Sequence, residues 1–212
     1  MTTKRYGRAG SGLLGTVLQT LPGKLASHWL VQGMAYMDPT ERTFKLGLDA
    51  AGTVGFASLL ATRLSLPRAL AGGLLAAHTL NFLVNGHLRG ALKWHGLGGA
   101  SVPALQAELL RIARRLAANP AVEHAYVYGS VTRGDVHAGS DLDIRVLRRP
   151  GLAAGLAVCW LVLLERARSL GSGVPLDIYV WDSPARMERM RSDEVPLDLG
   201  ELLVEQRGAM RG

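Results

Sequence analysis

The chain has 212 residues, 48% of them hydrophobic, enough for one ordinary domain with a real core plus an appendage. Its single cysteine excludes an internal disulfide framework, and no repeat or low-complexity tract is present. The formal net charge of +7 lies wholly in residues 1–95, where ten Lys and Arg face only Asp38, Glu41 and Asp49, while the remainder balances at zero.

That asymmetry suggests two units: a basic, apolar, helical hairpin unit over 1–95 and an enzyme-like unit over 101–212, divided at a Gly-rich stretch near 95–101. At the start, Leu14, Val17, Leu18 and Leu21 recur at helical spacing behind Lys4, Arg5 and Arg8. This amphipathic stretch either covers a core or lies on an anionic lipid surface, the first being favoured. A cleaved signal peptide is not expected, because Thr16, Gln19 and Thr20 interrupt the apolar run. Asp38-Pro39-Thr40-Glu41-Arg42 reads as a turn opening a helix, with Asp38 or Thr40 as its cap.

Residues 46–66 are mostly apolar but carry Asp49 and Arg63, and residues 69–88 hold no Asp, Glu, Lys or Arg. Pro67 separates the two runs, which predicts a helical hairpin. The second run is long enough to span a bilayer and the first only marginally so. Lys24, Arg42, Lys45, Arg89 and Lys93 flank the hairpin as the positive-inside rule prefers, whereas Arg63 and Arg68 in the turn oppose it. The hairpin is therefore expected to contact a membrane. The alternative is a soluble hairpin whose small faces, Ala50-Ala51-Gly52 and Ala71-Gly72-Gly73, pack on each other or on a second subunit.

Further along, residues 104–118 form a helix candidate with Leu105, Leu109, Ile112 and Leu116 as its apolar stripe and Arg111, Arg114 and Arg115 opposite; Asn119-Pro120 ends it. A strand is expected at 124–128. Residues 152–164 form an uncharged run that predicts a buried helix, with Cys159 inside it as a small apolar residue. A further β-rich run follows at 174–181, and the tail from Pro184 onward forms one or two helices carrying Leu199, Leu202 and Leu203. The histidines show no metal-ligand spacing, and His137 alone falls within a candidate site.

The chemistry concentrates between Val127 and Ile144. The predicted strand runs into Gly129-Ser130, where the missing Cβ lets a phosphate approach the backbone and Ser130 offers a hydroxyl and an N–H. Ten residues later comes Asp141-Leu142-Asp143. In an extended strand, side chains at i and i+2 share a face, so Asp141 and Asp143 project together. Two carboxylates so close repel, and a divalent cation relieves the conflict. Oxygen ligands with substrate phosphates suit Mg²⁺. Asp177, near the start of the 174–181 run, supplies a third carboxylate if its strand lies beside that of Asp141; otherwise it is an ordinary surface residue. Two metal ions bridged by three carboxylates stabilise the attacking and leaving oxygens of an in-line phosphoryl displacement, with Asp177 as the natural base. Arg133 either contacts phosphate or is a solvated charge; Arg145 is harder to place on a triphosphate.

Gly129-Ser130, ten residues, Asp141-Leu142-Asp143 and the later Asp177 together resemble the polymerase-beta-like nucleotidyltransferase superfamily, in particular its minimal nucleotidyltransferase branch. Arg133-Gly134 and Gly139-Ser140 in the spacer look like that branch as well. The resemblance covers roughly 105–181. It implies an α/β (α+β) fold, a small mixed sheet flanked by helices, and transfer of a nucleoside monophosphate from ATP or another nucleoside triphosphate to a hydroxyl. Carried over, two Mg²⁺ ions fall on Asp141, Asp143 and Asp177, and the triphosphate on Gly129, Ser130 and Arg133. The acceptor does not carry over, because the superfamily modifies proteins, nucleic acids, antibiotics and small metabolites.

Three function classes follow. The first is an active nucleotidyltransferase in the cytoplasm or at the cytoplasmic face of the membrane. The second is an antitoxin-like partner of a small helical toxin. The third is a non-catalytic membrane or assembly module, disfavoured by the presence of all three carboxylates. A homo-oligomer or protein partner fits each. Nucleic acid ranks below anionic lipid as a partner, since the basic residues are interleaved with apolar helices and lack stacking aromatics.

Overall fold

The computed structural model describes residues 13–93, 99–189 and 195–209. The basic Lys4, Arg5 and Arg8, and most of the Gly-rich boundary, lie outside the described residues. Within them the chain forms α1 (Leu13–Gln19), α2 (Leu21–Val31), α3 (Pro39–Leu60), α4 (Leu66–Val84), α5 (His87–Lys93), α6 (Val102–Ala117), β1 (Val122–Tyr128), α7 (Ser130–Arg133), β2 (Leu142–Arg148), α8 (Leu152–Ser172), β3 (Leu176–Trp181), β4 (Leu197–Asp198) and α9 (Leu199–Ala209). A single 3-10 turn over Pro184–Arg189 follows β3.

The strands form one mixed sheet in the order β3-β2-β1-β4, with β1 antiparallel to β2 and β4, and β2 parallel to β3. Parallel neighbours need a crossover, and α8 supplies it. Alternation along β2 sends Leu142, Ile144 and Val146 to one face. There they meet Val127, Ile178 and Val180, the α6 stripe of Leu105, Leu109, Ile112 and Leu116, and Val158, Cys159 and Val162 of α8. Burial of such side chains is worth about 1.5–3 kcal/mol each. The opposite face carries Asp143 and Arg145, with Tyr128, Leu147 and Trp181 as a small buried cluster further along.

Helix α8 runs eight residues past the uncharged stretch that marks it in the sequence. The charges that follow Leu164 do not end it, because each is ion-paired. Glu165 accepts from Arg115 of α6 at 2.8 and 2.6 Å. Arg166 donates to Glu41 of α3 at 2.6 Å and to the Ile178 carbonyl. Glu41 also accepts the Val180 N–H at 2.9 Å. Glu41 and Arg166 thus occupy the exposed hydrogen-bonding positions of edge strand β3 and join α3 to the sheet where a fifth strand would pair. Burial pushes the Glu41 carboxyl above its ordinary value, with Arg166 pulling it back.

Asp38 caps α3, accepting the Glu41 N–H at 2.6 Å, and Thr40 instead accepts from Arg148 of β2. The expected hairpin is α3 and α4, turning at residues 61–65; Pro67 sits in the first turn of α4 rather than in the turn itself. The small faces do pack on each other: a Cβ on Gly73 would lie 2.7 Å from the Thr53 carbonyl oxygen, and one on Gly52 would lie 3.0 Å from Ala77.

A membrane crossing is not met: among the described residues no helix is long and apolar enough to cross a membrane. The polar residues of α4 face α3 instead. Asn81 donates to Asp49 at 2.8 Å, and the two ring nitrogens of His78 lie 3.0 Å from Asp49 Oδ2 and 2.9 Å from the Trp29 carbonyl. Outward, the hairpin shows Val54, Leu59, Leu66, Leu74 and Leu75.

In the same buried seam, Lys45 donates through Nζ to Gln32 Oε1. Burial, against the pull of Asp49, brings its ammonium down to about 8. Between that value and the ordinary lysine value the unfolded chain holds a proton that the folded chain has lost, so this residue's contribution to stability rises with pH. Buried Cys159, whose thiol is pushed up to about 12 chiefly by desolvation, acts in the opposite sense. Chemical denaturation of wild type and Lys45→Met isolates the lysine: from about pH 7.5 to 9.5 the wild type should gain about 1–2 kcal/mol relative to the variant. Parallel curves would show that Lys45 keeps its ordinary value.

Candidate active site

One end of the sheet gathers the predicted site. Tyr128, the last residue of β1, is paired with Asp143, and Asp143 is in register with Asp177 on β3. Asp141 immediately precedes β2, whose start is tied to β3 by the Leu142 N–H donating to the Pro175 carbonyl at 3.0 Å. All three carboxylates are half-buried; Asp143 and Asp177 sit at one level of adjacent strands, and Asp141 lies just before β2. The expectation that the Asp177 strand lies beside that of Asp143 is met.

Gly129 follows β1 with φ +75°, a conformation L side chains rarely adopt. A Cβ there would lie 2.6 Å from Asp143 Oδ2, so the Asp143 carboxylate rests directly on the glycine backbone. Ser130 and Arg133 lie on the four-residue α7. Thr132 donates its hydroxyl to the Gly129 carbonyl at 3.1 Å, which fixes the turn. The Arg133 side chain is partly exposed, its Nε 3.5 Å from Asp135.

His137 is part of the loop that delivers Asp141. Its N–H donates to Ser140 Oγ at 3.0 Å, and its Nδ1 accepts the Gly139 N–H at 3.0 Å. Its role is to close that loop.

Arg145 continues the alternation after Asp141 and Asp143, and at 8% exposure it is buried rather than offered to a triphosphate. It donates to the Asp177 carbonyl at 2.9 Å and to Asp177 Oδ2 at 3.3 Å, with its guanidinium 5.0 Å from the Tyr179 ring. Desolvation opposes its charge, but Asp177 and Asp143 outweigh it and raise its value. Among the described residues no group of three or more His, Cys, Asp or Glu side chains is arranged so that it could hold a metal ion. Asp177 is ion-paired with Arg145 instead. The chemistry of Asp141 and Asp143, two hard oxygen donors two residues apart, still fits Mg²⁺.

A cavity of about 520 Å³ opens beside β3. Asp141, Asp177 and Tyr179 line it from the sheet, and Ser27, His28, Asn85 and His87 line it from the helical unit. The loop between α2 and α3 closes down on Tyr179 at Gly33, where a Cβ would lie 2.3 Å from the phenol oxygen. His87 is stacked on Phe82, with ring centroids 6.2 Å apart. Burial, reinforced by Arg166 and Lys45, holds its imidazole well below the usual histidine range. The sequence reading set His28 and His87 aside, because isolated histidines on apolar helices carry no spacing signal.

A phosphate-approachable glycine turn backed by paired strand carboxylates, on a mixed sheet crossed over by one helix, defines a nucleotidyl-transfer fold. Residues 111–167 match the family described as Polymerase beta, Nucleotidyltransferase, a match that supports the resemblance to the polymerase-beta-like nucleotidyltransferase superfamily over that part of the chain. The match includes Gly129, Ser130, Arg133, Asp141 and Asp143 and ends before Asp177. No curated protein matches the chain.

Proposed function

We propose that the protein moves a nucleoside monophosphate from ATP or another nucleoside triphosphate to an acceptor hydroxyl. The observation that carries this reading is Asp143 on β2, resting against Gly129 on one side and in register with Asp177 on the other, with Asp141 just ahead of the strand. Asp141 and Asp143 would hold Mg²⁺, with Asp177 taking the acceptor proton. The metal would neutralise phosphate charge and stabilise the entering and leaving oxygens. Gly129 and Ser130 give the triphosphate a close approach to backbone, and Arg133 adds a cation on the same turn. Arg145 positions Asp177. On this reading residues 101–212 supply the transferase fold, and the 1–95 unit supplies the far wall of the cavity beside it.

Label carried in the α-phosphate of ATP, GTP, CTP or UTP should pass with Mg²⁺ into acceptors of a cell extract, and γ-label should not. An Asp141→Ala, Asp143→Ala double variant should transfer neither. Transfer that survives the double variant, or that follows the γ-phosphate, would overturn the assignment.

A partner-binding, antitoxin-like role is favoured by a different observation, the exposed leucines along α3 and α4. It would leave the double variant's function intact.

A further inference from the structure

The strands order the site across the sheet. Asp143 stands on β2 in the middle, Gly129 follows β1 on one side, and the 520 Å³ cavity adjoins β3 on the other. Neither Gly129 nor Ser130 lines the cavity. In an in-line displacement the attacking and leaving oxygens lie on opposite sides of the phosphorus. With the triphosphate held on the β1 side, the acceptor oxygen arrives from the β3 side, where the cavity opens at Asp177.

The cavity walls also select what enters. The one Lys or Arg among its lining residues is Arg166, whose guanidinium is already bonded to Glu41, Asn85 and Ile178. Among the described lining residues no other Lys or Arg offers a charge to a phosphate or carboxylate, while Asp141 and Asp177 repel one. Ser27, Asn85, His28 and His87 provide hydrogen-bonding groups. His87, 9% exposed, has at Nε2 no hydrogen-bond partner among the described residues. A buried nitrogen left without a partner is costly, and a ligand hydroxyl would satisfy it. The volume falls in the range of small-molecule sites.

We infer that this cavity is the acceptor pocket and takes an uncharged polyhydroxy compound of sugar size, held by a hydrogen bond to His87 Nε2. The inference rests on the nucleotidyltransferase reading above. One acceptor hydroxyl oxygen forms a bond to the α-phosphorus, and its proton passes to Asp177. The bond from that phosphorus to the bridging oxygen breaks, and pyrophosphate leaves with the electron pair.

The test uses the full-length protein, α-labelled nucleoside triphosphate, Mg²⁺ and an extract of the producing cells separated into small molecules, protein and nucleic acid. Label should enter the small-molecule fraction and still do so after that fraction is passed over an anion exchanger. With this fraction as acceptor, His87→Phe, which keeps the stacking on Phe82, should raise the KM for acceptor roughly tenfold, the effect of one lost hydrogen bond in a buried site. Its KM for the nucleotide and its melting temperature should stay near wild type, and His87→Gln should recover part of the loss. Label in protein or nucleic acid, loss of acceptor on the anion exchanger, or an unchanged acceptor KM in a folded His87→Phe would overturn the pocket assignment while leaving nucleotidyl transfer standing. Absence of wild-type transfer to every fraction would instead remove the underlying function, and the pocket assignment with it.

Discussion

Asp143→Asn should lower nucleotidyl transfer by on the order of a thousandfold, the scale of losing one group that stabilises developing charge at a transition state. The substitution keeps the shape of the side chain, so its contact with Gly129 persists. It removes one of the two carboxylates that face each other in register on β2 and β3. Relief of that repulsion offsets the attraction lost toward Arg145, so the thermal midpoint should stay within a few degrees of wild type. Steady-state transfer and thermal melts measured together decide the matter. Full activity would remove Asp143 from the site, and a collapse of the midpoint would make it a structural residue.

Arg166→Leu should cost about 3–5 kcal/mol of stability, because it leaves Glu41 as a buried charge without its partner. The damage extends beyond one pair. Arg166 also serves Asn85 and the Ile178 carbonyl, and Glu41 holds the Val180 N–H, so the outer edge of β3 loses its covering together with the contact between α3 and the sheet. Removing both charges should recover part of the loss, since an apolar pair carries no stranded ion. Urea midpoints of Arg166→Leu, Glu41→Leu and the double variant form a cycle that measures the coupling. Additive losses would show that the two residues act independently, and the pair would then not be what joins the helical unit to the strand.

The α6 stripe, strands near 124–128, 141–144 and 174–181, and the hairpin were legible because each carries a local pattern of its element. The site was legible for the same reason, its carboxylates and glycine turn lying at fixed offsets along neighbouring segments. Helix α8 reads too short in the sequence because a run of charge looks like an end until Arg115 and Glu41 are known to receive it. The two-residue β4 is missing from that reading because two residues carry no period; it is held by pairing with β1 and by Asp198 meeting His124 at 2.9 Å. The α4 run reads as a membrane candidate because hydropathy records composition and not direction, and His78 and Asn81 turn toward Asp49.

By itself the sequence determined the local half of this protein: where most of the longer helices and strands lie, and that Asp143 alternates with apolar neighbours along a strand. Those properties follow from backbone geometry over a few residues. Only the tertiary structure decided that Glu41 meets Arg166 across 125 residues of chain, that Arg145 holds Asp177, and that His28 and His87 face Asp177 across a cavity. Such pairings depend on how separate elements pack, and a buried charge or histidine leaves no periodic trace until its partner is in place.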